Sequence, residues 1–143
     1  MPTPDEARAA VDAARSDFSA AIDEAIGGWQ KKPDAAEGEE AWSAQETANH
    51  VLGAEIFFAR SVCEASGLEG PRNPIKGAQI STPQEAQYAL DAVTEAANAK
   101  LAAIGADDMS KPHEMMGTVE QAFTAWAGHL RDHAAQIRAA AAS

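Results

Sequence analysis

Hydrophobic and polar positions alternate along the chain with the period of an α-helix. Val11, Phe18, Ile22, Ala25 and Trp29 fall on one stripe, and Ala86, Ala89, Val93, Ala97, Leu101 and Ile104 fall on another. Each stripe predicts a helix with one face turned to a shared core. The run Val51-Leu52-Gly53-Ala54-Glu55-Ile56-Phe57-Phe58-Ala59 is apolar around more of its circumference, as expected of a helix covered on two sides. A fourth stripe passes through Val119, Ala122, Trp126, His129, His133 and Gln136 in steps of three and four.

Start and stop signals frame these segments. Thr3-Pro4-Asp5-Glu6 and Thr82-Pro83-Gln84-Glu85 each offer a capping hydroxyl, a proline at the first helical position and a Glu three after the cap. Ser43-Ala44-Gln45-Glu46 repeats the capping box without proline, and Thr118 is the candidate cap of the last helix. Gly27-Gly28, Gly67 and Gly105 supply stops. Helices are expected over 4–27, 44–66, 83–104 and 119–141, each roughly 33 Å long, the proportions of an all-α four-helix bundle forming one domain over residues 1–143. The connections, 28–43, 67–82 and 105–118, are long. Sixteen residues between the second and third helices suit a crossover running the length of the bundle.

Composition agrees with the pattern. Alanine occurs 35 times in 143 residues and aromatic residues make up 6%, which argues against a β-rich fold. Eleven Lys and Arg stand against 22 Asp and Glu, and a formal charge of -11 disfavours nucleic acid and anionic membrane surfaces as partners. The acidic opening Met1-Pro2-Thr3-Pro4-Asp5-Glu6 has no signal-peptide core, and no run of 18 apolar residues occurs, so a cytoplasmic location is expected. A single cysteine, Cys63, excludes an internal disulfide and a Cys-based zinc site.

The candidate chemistry lies in the histidines. His129 and His133, four apart, stand about 40° around a helix and one turn along it, on the core-facing stripe. Both imidazoles can converge on one ion. His50 lies about 9 Å into the second helix, while His133 and His129 lie about 12 and 18 Å from the end of the fourth. The three meet if the second and fourth helices are antiparallel, which requires the order up-down-down-up. Glu46, one turn before His50, and Gln136, three after His133, are the expected supporting groups. His129-Leu130-Arg131-Asp132-His133 has Leu130 where a zincin protease needs its general-base Glu, and no Glu stands three before any His as a di-iron site needs. One divalent ion of Zn, Ni or Fe type with open positions is left.

These residues resemble the DinB-like superfamily. The resemblance rests on Trp42-Ser43-x-x-Glu46-x-x-x-His50, and on Gly117-Thr118-Val119-Glu120 leading to Trp126-x-x-His129-x-x-x-His133-x-x-Gln136-Ile137. It implies an up-down-down-up four-helix bundle with His50, His129 and His133 as ligands of one divalent metal. It also implies thiol S-transferase chemistry on a small-molecule substrate, with a low-molecular-weight thiol such as bacillithiol, mycothiol or glutathione. A metal-dependent hydrolase and a non-catalytic metal- or ligand-binding homodimer are the alternatives.

The other candidates are weaker. Cys63 is read as a small buried hydrophobe, His113 as a solvated loop residue rather than a fourth ligand, and Trp42 and Trp126 as core anchors. Met109, Met115 and Met116 are expected to pack over a bundle end. Arg131 and Lys76 could meet an anionic thiol, and Glu37 to Glu40 read as a solvated loop.

Overall fold

A computed structural model describes residues 1–34 and 37–143. Ala35 and Ala36, inside the connection expected over 28–43, lie outside the described residues. The fold is an all-α bundle of α1 (Pro4–Glu24), α2 (Ala44–Ala65), α3 (Pro83–Leu101) and α4 (Val119–Ala142). No helix among the described residues is long and apolar enough to cross a membrane.

Each helix begins where its cap predicts. Thr3 and Ser43 accept from the backbone N–H of Glu6 and Glu46, and both glutamates accept in return from the cap residue's own N–H. Thr82 caps α3 alone, because the Glu85 carboxylate accepts from Ser81 N–H instead of closing the box. The ends are less regular. α1 stops at Glu24 and tightens into a 3-10 turn over Ile26–Gly28. α3 stops at Leu101, short of the expected 104, where Arg8 reaches across from α1 and donates to the carbonyls of Leu101 and Ile104 at 3.0 Å each. Gly67 ends α2 with φ +77°, and the next amide closes back on the Cys63 carbonyl at 2.8 Å.

Val11, Phe18, Ile22, Val51, Val93, Trp126 and Leu130 meet in one core. The side-chain pairings give the relative sense of the helices. Asp17 and Glu24 meet Arg131 and Arg138, so contacts ascend together along α1 and α4. Arg8, Arg15 and Ser19 meet Leu101, Asn98 and Gln87, so contacts ascend on α1 as they descend on α3. His50 lies beside His133, and Glu55 beside Trp126, so α2 likewise runs against α4. Residues 67–82 follow α2 back along its length. Arg60 Nε donates to the Pro71 carbonyl at 2.8 Å, Asn49 to the Ile80 carbonyl at 3.0 Å, and Trp29 Nε1 to the Ser81 carbonyl at 3.0 Å.

The connection 105–118 holds structure that periodicity did not reveal: a 3-10 turn over Ala106–Asp108 and a two-residue hairpin, β1 (Pro112–His113) against β2 (Gly117–Thr118). His113 is buried, against the expectation of a solvated loop residue. Its Nδ1 accepts from the backbone N–H of Met115 and Met116 at 3.3 and 3.2 Å, and its Nε2 faces Ser61 Oγ at 2.9 Å. The imidazole replaces the solvent that the turn amides would otherwise need. Met109 is buried, Met116 packs against the core, and Met115 is exposed.

Candidate metal centre

α4 carries His129 and His133 one turn apart, their ring centroids 4.4 Å from each other. The antiparallel packing of α2 brings His50 to 5.4 Å from His129 and 5.0 Å from His133, centroid to centroid. One ligand nitrogen from each ring lies within 4.8 Å of the other two, and His50 Nε2 and His129 Nε2 are 3.3 Å apart. Two nitrogens each about 2.1 Å from one tetrahedral ion stand about 3.4 Å apart. The donor set therefore fits a divalent cation. His133 is buried, His129 half-buried and His50 exposed, so the cluster is closed on its α4 side and open beside His50.

The surroundings orient the rings. Gln136 Oε1 accepts from His133 Nδ1 at 2.7 Å, which leaves the His133 Nε2 lone pair free. Gln136 Nε2 donates to the Glu39 carbonyl, in a 3-10 turn over Gly38–Ala41, and so ties α4 to the approach to α2. Phe58 lies 5.4 Å from the His129 ring and stacks at 5.7 Å on Trp126, while Trp42 lies 5.2 Å from His50. His129 Nδ1 is buried with no hydrogen-bond partner among the described residues.

Burial, and then the nearby His133 and His50, push His129 down to about 4. Burial and His133 lower His50 as well, with Glu39 opposing. Both rings are therefore neutral at neutral pH and can offer lone pairs. Together the three histidines could hold a metal ion.

Glu46 spends its carboxylate on Ser43 N–H at 3.1 Å and on Lys32 at 3.2 Å, as a helix cap. Cys63 is fully buried, and burial pushes its thiol up, away from reactivity. His113 stands outside the cluster, Arg131 meets Asp17 at 3.8 Å, and Lys76 is exposed in the segment 67–82. Trp126 is a core residue, and Trp42 is half-buried beside His50.

Pattern reading missed a buried ion pair below the histidines. Arg15 Nε donates to Glu55 Oε1 at 2.6 Å, and Trp126 Nε1 donates to Glu55 Oε2. The signal was present: Arg15 interrupts the stripe between Val11 and Phe18, and Glu55 interrupts the apolar run of α2, with opposite charges.

No curated protein and no solved structure matches the chain. The family described as the DinB superfamily matches it over residues 12–137, a span that takes in parts of all four helices and His50, His129 and His133. On that match, the chain belongs to the DinB superfamily.

Proposed function

We propose that this protein is a divalent-metal-dependent enzyme of the thiol S-transfer type, with His50, His129 and His133 as the ligands. The observation that carries the reading is the convergence of these three imidazoles, two held neutral, on a point whose open side gives onto an apolar cavity of about 460 Å³. A divalent ion bound there would lower the pKa of a thiol that reaches it, so that the thiolate forms near neutral pH.

The chain's own residues have distinct parts in this scheme. Gln136 keeps His133 in the tautomer that leaves Nε2 free. Ala54, Phe57 and Phe58 line the cavity beside His50 and His129 and give a sulfur and an electrophile held together there an apolar wall. No carboxylate lines that cavity among the described residues, so the thiol proton leaves through the open side beside His50. The up-down-down-up order, with 67–82 as the crossover, belongs to the same reading, supported by the pairings of α1 with α3 and α4 and of α2 with α4.

The test begins with protein purified without a histidine tag. It should carry about one divalent ion per chain and conjugate a small thiol to a haloarene or a bimane in a metal-dependent way. Bacillithiol, mycothiol and glutathione are each to be tried, and His129→Ala should abolish the rate. No metal-dependent rate with any of them, on fully metallated protein, would turn the assignment to a hydrolase or to binding without turnover.

A further inference from the structure

The cavity beside the histidines does not end there. Gly53 and Phe57 also border a second cavity, of about 590 Å³, walled by α2, the segment 67–82 and the β1–β2 hairpin. Gly53 lies in the middle of α2, where glycine weakens a helix, yet a Cβ at this position would meet nothing within 4 Å. Packing does not demand the glycine. Its missing side chain leaves a clear floor between the two cavities. Phe57 and Met115, two of the large hydrophobic side chains the fold leaves exposed, stand along the second one.

The charged groups lie at the far end. Arg60 is two turns beyond Gly53, about 10 Å along the helix. Its Nε is fixed on the Pro71 carbonyl at 2.8 Å, and its two terminal guanidinium nitrogens make no hydrogen bond among the described residues. Glu64, one turn further, Glu114 on the hairpin and Asn73 on the crossover share the same lining. Arg60, Glu64 and Glu114 make no ion pair among the described residues, whereas Arg8, Arg15, Arg131 and Arg138 all do. A simple anion would face two carboxylates here, and a simple cation would face Arg60. An ammonium and a carboxylate on one carbon satisfy both signs.

The wall between these groups and the core is inert. His113 Nδ1 accepts from two amides, so its proton is on Nε2 and points at Ser61, whose hydroxyl donates to the Phe58 carbonyl at 2.9 Å. Ser61 and His113 are thus not a nucleophile and its base.

We propose that the two cavities form one substrate cleft for an elongated small molecule with an amino-acid head, its carboxylate on Arg60 and its ammonium at Glu64 and Glu114, and its tail lying over Gly53 toward the three histidines. The head assignment stands independently of the metal reading; only the destination of the tail rests on it.

Calorimetric titration of the metal-loaded protein with 2-aminooctanoate, octanoate and octylamine tests the head. The amino acid should bind about tenfold or more tighter than either single-charge analogue. Arg60→Gln should bring it down to the level of octylamine, and Glu64→Gln with Glu114→Gln to the level of octanoate. Gly53→Leu meets no clash at its Cβ and should fold, yet it should block the tail and weaken 2-aminooctanoate about tenfold. Equal binding of the three probes, absence of binding at millimolar concentration, or indifference to Arg60→Gln or Gly53→Leu would overturn the proposal. A last probe, 2-amino-8-mercaptooctanoate, should gain affinity over 2-aminooctanoate on metal-loaded protein and lose that gain in His129→Ala. If the amino-acid head is selected and the thiol adds nothing, the cleft stands and the thiol-activating centre does not.

Discussion

Two polar clusters are set into the seam between α2 and α4, with His50 and Glu55 little more than one helical turn apart on α2. In the deeper one, Glu55 receives Arg15 Nε and Trp126 Nε1, while Arg15 Nη1 reaches Asp12 at 2.7 Å and Asn98 at 2.9 Å. The guanidinium also lies 5.1 Å from the centre of the Trp126 ring, and of this cluster's buried polar atoms only Arg15 Nη2 lacks a partner among the described residues. In the upper cluster, three imidazoles face one another, and one buried ring nitrogen is left bare. The deeper cluster pairs its opposite charges within itself, Arg15 with Glu55 and Asp12. The upper one gathers a ligand nitrogen from each of three imidazoles within 4.8 Å of one another. The difference separates a buried network that fixes helix packing from a donor set that could hold a metal ion.

The largest expected effect falls on the complete cluster. Glu55→Ala leaves Arg15 buried without its main counter-charge and should cost about 3–5 kcal/mol in equilibrium denaturation of the metal-free protein. A loss below about 1 kcal/mol would mean that this network is not the closed, stabilising one. His129→Ala should do the reverse, weakening metal binding by about a hundredfold or more while shifting metal-free stability by less than about 1 kcal/mol. His50→Ala and His133→Ala should weaken the metal similarly. His113→Ala should leave metal content intact and cost about 1–3 kcal/mol, since two turn amides lose their acceptor.

Gln136→Ala probes the link between the open cluster and its support. Metal affinity should fall about ten- to a hundredfold as His133 loses the partner that sets its tautomer, and competition with a chelator would measure it. A separate effect is on pH dependence. His129, held at about 4 in the fold against 6.5 when free, takes up its proton more readily unfolded, so metal-free stability should be level above about 6.5 and decline as pH falls toward 4. His129→Ala should flatten that part of the curve. A curve unchanged by the substitution would show that His129 is not desolvated in the fold.

The helix starts were legible because each depends on a few adjacent residues. A hydroxyl at Thr3, Ser43, Thr82 or Thr118 meets an amide three residues on, and no distant contact intervenes. The meeting of His50 with His129 and His133 was legible because helical rise converts sequence position into height along a bundle. What escaped depended on partners far away in sequence. The stop of α3 is set by Arg8, ninety-three residues before Leu101, and the burial of His113 by Ser61 on α2 and the turn it folds around. Glu46 shares a face with His50, and its carboxylate accepts from Ser43 N–H and meets Lys32. Arg15 and Glu55 were each visible as a charge on an apolar stripe, and only their pairing across α1 and α2 explains why burial is tolerated.

The side-by-side course of α1 and α4 has a consequence for how the chain acquires its shape. These two helices form the most extensive contact in the bundle although nearly a hundred residues separate them, and Gly28, just past α1, touches the Ala141 backbone so closely that no Cβ fits. Helical bundles ordinarily fold fast because their contacts are local; here the principal contact is among the least local available. During synthesis, at roughly 5–20 residues per second, Val11, Phe18 and Ile22 wait on the order of ten seconds before α4 emerges to cover them. His129 and His133 arrive on that same last helix. An ion held by all three histidines could be captured only after that docking event, and by binding the finished arrangement it would draw the folding equilibrium toward completion.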